Sequence, residues 1–304
     1  MAPHVSVIIP CYKQAHYLPD AVASIVAQQY TDWELIIVDD GSPDDTAAVA
    51  TNLIAAYPDR AIRLLRQTNS GLSGARNAGI AIAQGSIIMP LDSDDMLEPE
   101  ILMRVVAIFN SRPDVGFVYT DVQLFDGEQG IVHNRPYDAR RLRVTCLLHS
   151  TSPFRRIAWQ QVGGYRTTMG RGYEDWDFWL ALSAAGWVGQ HIPVALVCYR
   201  RTGASKLTRD RRFDLELRAM LIRNHPGLYE TGFHTWAGRV LSSGWNTNEE
   251  LRPDRWLLAF LNYNLLIALH APRELPRTML RPLYWQLPPA FHTPLRRLAR
   301  LLLR

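Results

Sequence analysis

In this 304-residue chain Asp39-Asp40, Asp92-Ser93-Asp94-Asp95 and Glu174-Asp175 set carboxylates side by side. Neighbouring carboxylates repel and lose solvation on burial, so they need a cation or several donors to satisfy them. Asp92 and Asp94 are one residue apart. Their oxygens are hard ligands of the kind Mg2+ or Mn2+ takes, and Mg2+ keeps water and phosphate oxygens in its other positions. A solvated turn with helix-capping acids explains the same run, and a turn before a helix explains Asp39-Asp40. Glu174-Asp175, read by residue type alone, fits acids favoured at a helix N-terminus. Being adjacent on a helix, the two point in different directions. Arg200, Arg201 and Lys206 are cations suited to phosphate.

The elements that must carry these residues alternate in the first half. Val5–Ile9 is a short β-branched run stopped by Pro10, as in a buried strand. Pro19–Gln28 puts Val22, Ile25 and Val26 on one helical face. Leu35–Val38 is the next strand, followed by a helix expected to begin at Ser42-Pro43, with Ser42 as cap, and to run to Ala56. Strands are expected at Ile62–Leu65, Ile87–Met89 and Val115–Thr120. Helices are expected at Ser73–Ala83, closed by Gly85, and at Glu98–Asn110. Phe125–Pro153 has no firm period. A helix at Glu174–Ala185 and a strand at Val188–Tyr199 follow. This order predicts an α/β fold with a mostly parallel, Rossmann-like sheet flanked by helices. Ligands bind such sheets outside the strand carboxyl ends, where both aspartate clusters fall.

Composition is ordinary for a globular chain, with 47% hydrophobic and 20% charged residues. Cys11, Cys146 and Cys198 lack metal-ligand spacing and point to a reducing compartment. Residues 1–4 carry no basic signal-peptide start, and Trp256–Leu269 is too short and too polar at Asn262 and Asn264 to span a bilayer. The net charge of +4 is uneven: from Thr231 onward ten arginines face four acids. The basic-aromatic interleaving of nucleic-acid binders is absent, so no nucleic-acid partner is expected. At the end, Leu295, Leu298, Leu301 and Leu302 share one helical face with Arg296, Arg297, Arg300 and Arg304 around it. That pattern fits a helix lying on an anionic membrane surface, or one docked on its own domain. The expected location is cytoplasmic, peripheral at the inner face of the membrane. A domain boundary is expected near Asn224, with 1–224 catalytic and 225–304 a mainly helical extension.

Five runs in order carry a family resemblance: Val5–Tyr12, Ile37–Ser42, Asn69–Gly79, Leu91–Asp95 and Gly172–Asp177. Together they resemble the inverting family 2 glycosyltransferases over about residues 5–205. The resemblance implies a GT-A type nucleotide-sugar domain with a C-terminal helical extension. It implies that Pro10 and Tyr12 line the base pocket, that Asp40 with Asp39 holds the base edge, and that Arg76 lies near the nucleotide. Asp92 and Ser93 would face the donor, Asp94 would be the main ligand of Mn2+ or Mg2+ with Asp92 beside it, and Asp175 would be the general base. Glu174, Trp176, Arg200 and Arg201 are candidates for contact with acceptor or diphosphate. Trp179 is read as core, and His16, His133 and His149 as structural or surface residues. A UDP-sugar is the default donor and a dTDP-sugar the alternative. The implied acceptor is a glycan or lipid-linked saccharide of the cell surface.

The chain departs from the family in two places. The run Tyr199–Ser205 has Thr202 where many members carry a histidine, and Asp254-Arg255-Trp256 lacks the Gln of the processive signature. Single addition is therefore expected. A nucleotidyltransferase would carry a Gly-rich loop after the first strand, which Pro10-Cys11-Tyr12-Lys13-Gln14 is not. An idle scaffold would have no need of Asp40, Asp92, Asp94 and Asp175 together.

Overall fold

The five residues of the run Val5–Ile9 are wholly buried because they lie inside a nine-stranded sheet, with a strand on either side. The computed structural model describes residues 4–201, 213–242, 253–270 and 275. Strands β1 (Val5–Cys11), β2 (Trp33–Asp39), β3 (Ile62–Arg66) and β4 (Ile87–Pro90) are parallel, in the order β3-β2-β1-β4. Helices α1 (Leu18–Val26), α2 (Thr46–Ala56) and α3 (Gly71–Ile82) connect them. Register pairs Cys11 with Asp39, Asp39 with Arg66 and Ile8 with Pro90, so the strand ends line up and their loops share one edge.

Beyond β4 the sheet turns mixed. A two-residue strand β5 (Met96–Leu97) precedes α4 (Ile101–Ser111), followed by β6 (Val115–Asp126) and β7 (Gly130–Val132). After α5 (Ala139–Leu142) come β8 (Phe154–Arg155), α6 (Arg156–Val162), α7 (Glu174–Ala184) and β9 (Val188–Arg201). The order continues β4-β8-β6-β9-β5, with β8 and β5 antiparallel to their neighbours and β6 parallel to β9. The sheet is thus mostly parallel and covered by helices, as expected, and the stretch without a period holds the short antiparallel pieces.

Two expected helix ends move, for local reasons. Ser42 does not cap α2, which starts at Thr46. The Ser42 hydroxyl instead receives the Lys13 amide at 3.0 Å, its own amide goes to Asp39 Oδ1 at 2.8 Å, and Asp44 takes the Ala15 and Thr46 amides. The turn is spent on tying the β1 and β2 loops together. Helix α3 ends on Ala83 in extended conformation rather than on a glycine cap, and Gly85 donates its amide to the buried Ser6 hydroxyl at 2.9 Å. Strand β6 runs six residues past Thr120 because β9 pairs with it as far as Arg201, through shifts in register around Asp121.

The chain divides into two compact units. The first takes in residues 1–137, 148–170 and 174–203, and holds the sheet. Its core joins β1, β2 and β4 to α1 and α4 through Val7, Ile9, Leu18, Val22, Leu35, Ile37, Met89 and Val105. The second takes in 138–147, 171–173 and 204–304, so it starts before the boundary expected at Asn224 and includes two short segments from earlier in the chain. Within it α8 (Asp214–Asn224), α9 (Thr231–Ser242) and α10 (Pro253–His270) pack through Leu215, Phe233, Trp236, Phe260 and Tyr263. Arg218 is buried there, bonded to Asp214 and the Val144 carbonyl. No described helix is long and apolar enough to cross a membrane. The basic tail 294–304, Thr202 and Lys206 lie outside the described residues.

Candidate active site

The four loops that leave β1, β2, β3 and β4 at their carboxyl ends carry most of the residues singled out by type. Pro10 is buried in β1, while Tyr12, just past its end, is 42% exposed with Lys13 Nζ 5.1 Å from its ring centre. Tyr12 thus offers an aromatic face to solvent at the loop edge. Asp39 and Asp40 are both buried. Asp39 bonds the Ser42 amide and meets Arg66 Nε at 3.2 Å. Asp40 Oδ1 accepts from Gln67 Nε2 at 2.7 Å and from the Ser70 amide at 2.8 Å. Gly41 makes this approach feasible: its φ is +66°, and a Cβ there would stand 2.8 Å from the Asn69 amide nitrogen.

Arg76 lies on α3, which presses close to the sheet at Gly79, where a Cβ would stand 2.6 Å from Ile8 Cγ2. Its guanidinium is fully buried. Nη2 donates to Asp92 Oδ1 at 2.6 Å and Nη1 to Glu174 Oε1 at 3.3 Å, and the group lies over the Tyr165 ring. Burial alone would favour loss of its proton, but Asp92, Tyr165 and Glu174 outweigh this and hold it charged. The arginine expected near a nucleotide is therefore the buried link between the β4 loop and the start of α7.

Asp92 receives Ser150 Oγ at 2.9 Å on its second oxygen, and Arg76 keeps it ionised against the effect of burial. Ser93 is buried and donates to Gln14 Oε1 at 2.6 Å, and Gln14 Nε2 in turn donates to Asp94 Oδ2 at 3.1 Å. Burial and the charge of Asp92 raise the Asp94 carboxyl above its ordinary value. Asp95 is wholly buried. Its Oδ1 takes the Arg200 amide at 3.0 Å and its Oδ2 has no partner, and burial, then Asp92 and Asp94, raise it strongly. Among the described residues no three His, Cys, Asp or Glu side chains gather in a metal-holding cluster. The donor set here suits a hard divalent cation whose other ligands are phosphate and water.

Helix α7 opens with Glu174 and Asp175. Adjacent helical residues diverge by about 100°, and Arg76 holds Glu174 alone. Asp175 stays partly accessible, accepts the Trp176 amide at 2.7 Å, and is pushed up to about 7 by burial and by Glu174. That value suits a base working near neutral pH.

Two of the contact candidates are otherwise engaged. Trp176 is 2% exposed and so has no open face for a sugar. Arg200 bonds Asp126, Asp20 and the Asp94 carbonyl, with its guanidinium between the Tyr17 and Phe125 rings. Each of its three guanidinium nitrogens is bonded to the protein, so the side chain is held to the fold. Arg201 is looser, 3.4 Å from Glu128. Trp179 is core, as expected, packed on Phe117, Phe154 and Phe178. His149 is not an isolated surface residue: it lies beside Asp92 and Arg76, and burial pushes its imidazole down to about 4. Gln14, Asp95, His149 and Ser150 were not among the expected site residues. No sequence pattern marks Gln14, which becomes a neighbour of Asp94 only because β1 and β4 are adjacent.

Comparison with known proteins agrees with this geometry. Residues 6–168 match the family described as Glycosyl transferase family 2, a match that ends before α7. Chondroitin synthase of Escherichia coli is 30% identical over 218 residues, 70% of this chain, and the chain spans only 31% of that relative's length. The structure of S. aureus TarS 1-349 in complex with UDP superposes with a TM-score of 0.61 at 18% identity, over 99% of this chain and 88% of that one. The mannosyltransferase PcManGT from Pyrobaculum calidifontis, in complex with GDP-Man and Mn2+, gives 0.62 at 20% identity, over 96% and 88%. With more than half its length matched by the family and its sheet matched by these structures, the chain belongs to glycosyl transferase family 2 and has the GT-A type fold.

Proposed function

We propose that the protein is an inverting glycosyltransferase of cell-surface polysaccharide or glycolipid synthesis. The observation that carries this is the pair at the head of α7: Glu174 is tied to Arg76, while Asp175 stays accessible with its carboxyl at about 7. In a single displacement the acceptor hydroxyl attacks the anomeric carbon. Asp175 takes the hydroxyl proton as the new C–O bond forms, and the sugar–phosphate bond breaks to release the nucleoside diphosphate. No protein nucleophile is needed.

Tyr12 would stack on the base, and the loops tied by Asp39 and Asp40 would shape its pocket. Asp94, oriented by Gln14, would hold Mn2+ or Mg2+ with Asp92 beside it, and the cation would neutralise charge on the departing diphosphate. UDP in TarS and Mn2+ in PcManGT support a nucleotide-sugar donor and a divalent cation, as bound by those proteins. A UDP-sugar is the preferred donor and a dTDP-sugar the alternative; the acceptor is a glycan or lipid-linked saccharide. The proposed location is cytoplasmic, at the inner membrane face through the basic tail, and the free thiols suit it.

The test is calorimetric titration with UDP, dTDP and GDP, with and without Mn2+. Metal-dependent binding of one base, with the metal dependence lost in Asp94→Ala, is expected. A folded protein that binds none of the three would refute the reading.

A further inference from the structure

The segment that returns to the sheet before β8 brings two side chains to Asp92. Ser150 bonds it directly; His149 lies within reach of its charge, with its ring edge-on to Tyr199, centroids 4.7 Å apart. The Ser152 hydroxyl bonds the His149 carbonyl at 2.6 Å, so the residue is fixed at both backbone and ring. Its Nδ1 receives the Thr151 backbone amide at 3.1 Å. A backbone N–H can only donate. Nδ1 must therefore present its lone pair, and in a neutral imidazole the proton then sits on Nε2. A protonated ring would turn a second N–H toward the Thr151 amide, so this contact selects the neutral form.

Nε2–H has no partner among the described residues, and the residue is half-buried. The nearest carboxylate, Asp92, already receives Arg76 on one oxygen and Ser150 on the other. A metal ligand must offer a lone pair, and this ring has spent its only one on Thr151. What remains is an uncharged donor at the head of the aspartate motif, matched to an oxygen that only accepts.

We propose that His149 donates Nε2–H to a phosphate oxygen of the bound nucleoside diphosphate and is not a ligand of the cation. This rests on the nucleotide-sugar reading above. It makes His149 a donor-contact residue that no spacing or motif marks.

The experiment uses the full chain as His149→Phe, which keeps a ring against Tyr199 but removes the donor, and as His149→Gln, which keeps an N–H near the Nε2 position. Calorimetry with UDP, UMP and uridine at saturating Mn2+ is paired with titration of Mn2+ alone. The Phe variant should lose about tenfold in UDP affinity, the size of one hydrogen bond to a charged group. Uridine binding should not change, the Gln variant should stay within about threefold of wild type, and Mn2+ affinity should be the same in all three. Equal UDP affinity in wild type and the Phe variant overturns the proposal, as does a Gln variant as weak as Phe. A tenfold weaker Mn2+ affinity in either variant overturns it too, by making His149 a metal ligand. Wild-type protein that binds no nucleoside diphosphate at all refutes the parent reading, and this proposal with it.

Discussion

Asp175 links stability to catalysis in a way that one substitution can separate. Burial, reinforced by Glu174, holds its carboxyl at about 7 against an ordinary 3.8. A carboxyl raised in the native state binds its proton more tightly when folded. The stability it contributes is fully present below the unfolded value, is lost as pH climbs from about 4, and is gone above about 7. Each tenfold difference in proton affinity is worth about 1.4 kcal/mol, so the full loss is about 4 kcal/mol, an upper bound because the side chain is partly accessible. Asp175→Asn keeps an oxygen for the Trp176 amide and removes the ionisation. Urea unfolding should therefore find the variant more stable than wild type by about 2–4 kcal/mol at pH 8, and by under about 1 kcal/mol at pH 4. The same variant should bind donor and fail to transfer sugar. Wild-type kcat/KM should climb about tenfold per pH unit below 7 and then level, and Glu174→Gln should move that bend to lower pH. Equal stability of wild type and Asp175→Asn at pH 8, or a rate that is flat from pH 5 to 8, would refute the reasoning.

Arg76→Met should cost about 3–5 kcal/mol, because Asp92 and Glu174 would be left in a buried pocket without their shared partner; the urea midpoint reads this directly. Gly79→Ala should destabilise by about 1–3 kcal/mol, since the added methyl meets Ile8 Cγ2 at 2.6 Å and Val38 Cγ2 at 2.9 Å. A lowered melting temperature with unchanged circular dichroism is the expected result.

In the parallel half of the sheet β1, β2 and β4 were legible because each is a short, mostly apolar run with Pro10, Asp39 or Pro90 at or next to its end, and each is buried on both faces. The antiparallel pieces were not. Phe154–Arg155 and Met96–Leu97 are two residues each, too short for any periodicity to register, and they exist only because β4, β6 and β9 offer edges to pair with. At the site, residue type and spacing pointed to Asp92, Asp94 and Asp175. They did not give the direction in which a side chain is turned. Arg76, Arg200 and Trp176 carry suitable groups for a ligand, yet burial and protein partners claim all three. Conversely, Gln14 and His149 reach the cluster through strand adjacency and a returning loop, across 80 and 57 positions of sequence from Asp94 and Asp92 respectively.

The charge balance of this pocket has a consequence for ligand binding. The buried Arg76 pairs with Asp92 and Glu174, while Asp94, Asp95 and Asp175 each feel the charge of Asp92. Arg200 turns its guanidinium to Asp20 and Asp126 and gives Asp95 only its backbone amide. The carboxyls of Asp94, Asp95 and Asp175 are accordingly all raised, by burial first and by neighbouring carboxylates second. A divalent cation held at Asp94 favours the ionised form of each nearby carboxyl, so its binding must expel protons that the protein alone retains. Mn2+ titrated into the protein with UDP near pH 6 should give heats that vary with the ionisation enthalpy of the buffer, and the slope counts the protons released. In Asp94→Asn that slope should shrink along with the Mn2+ affinity. Heats that do not depend on buffer would mean the aspartates are already ionised, and that some cation other than Arg76 balances them.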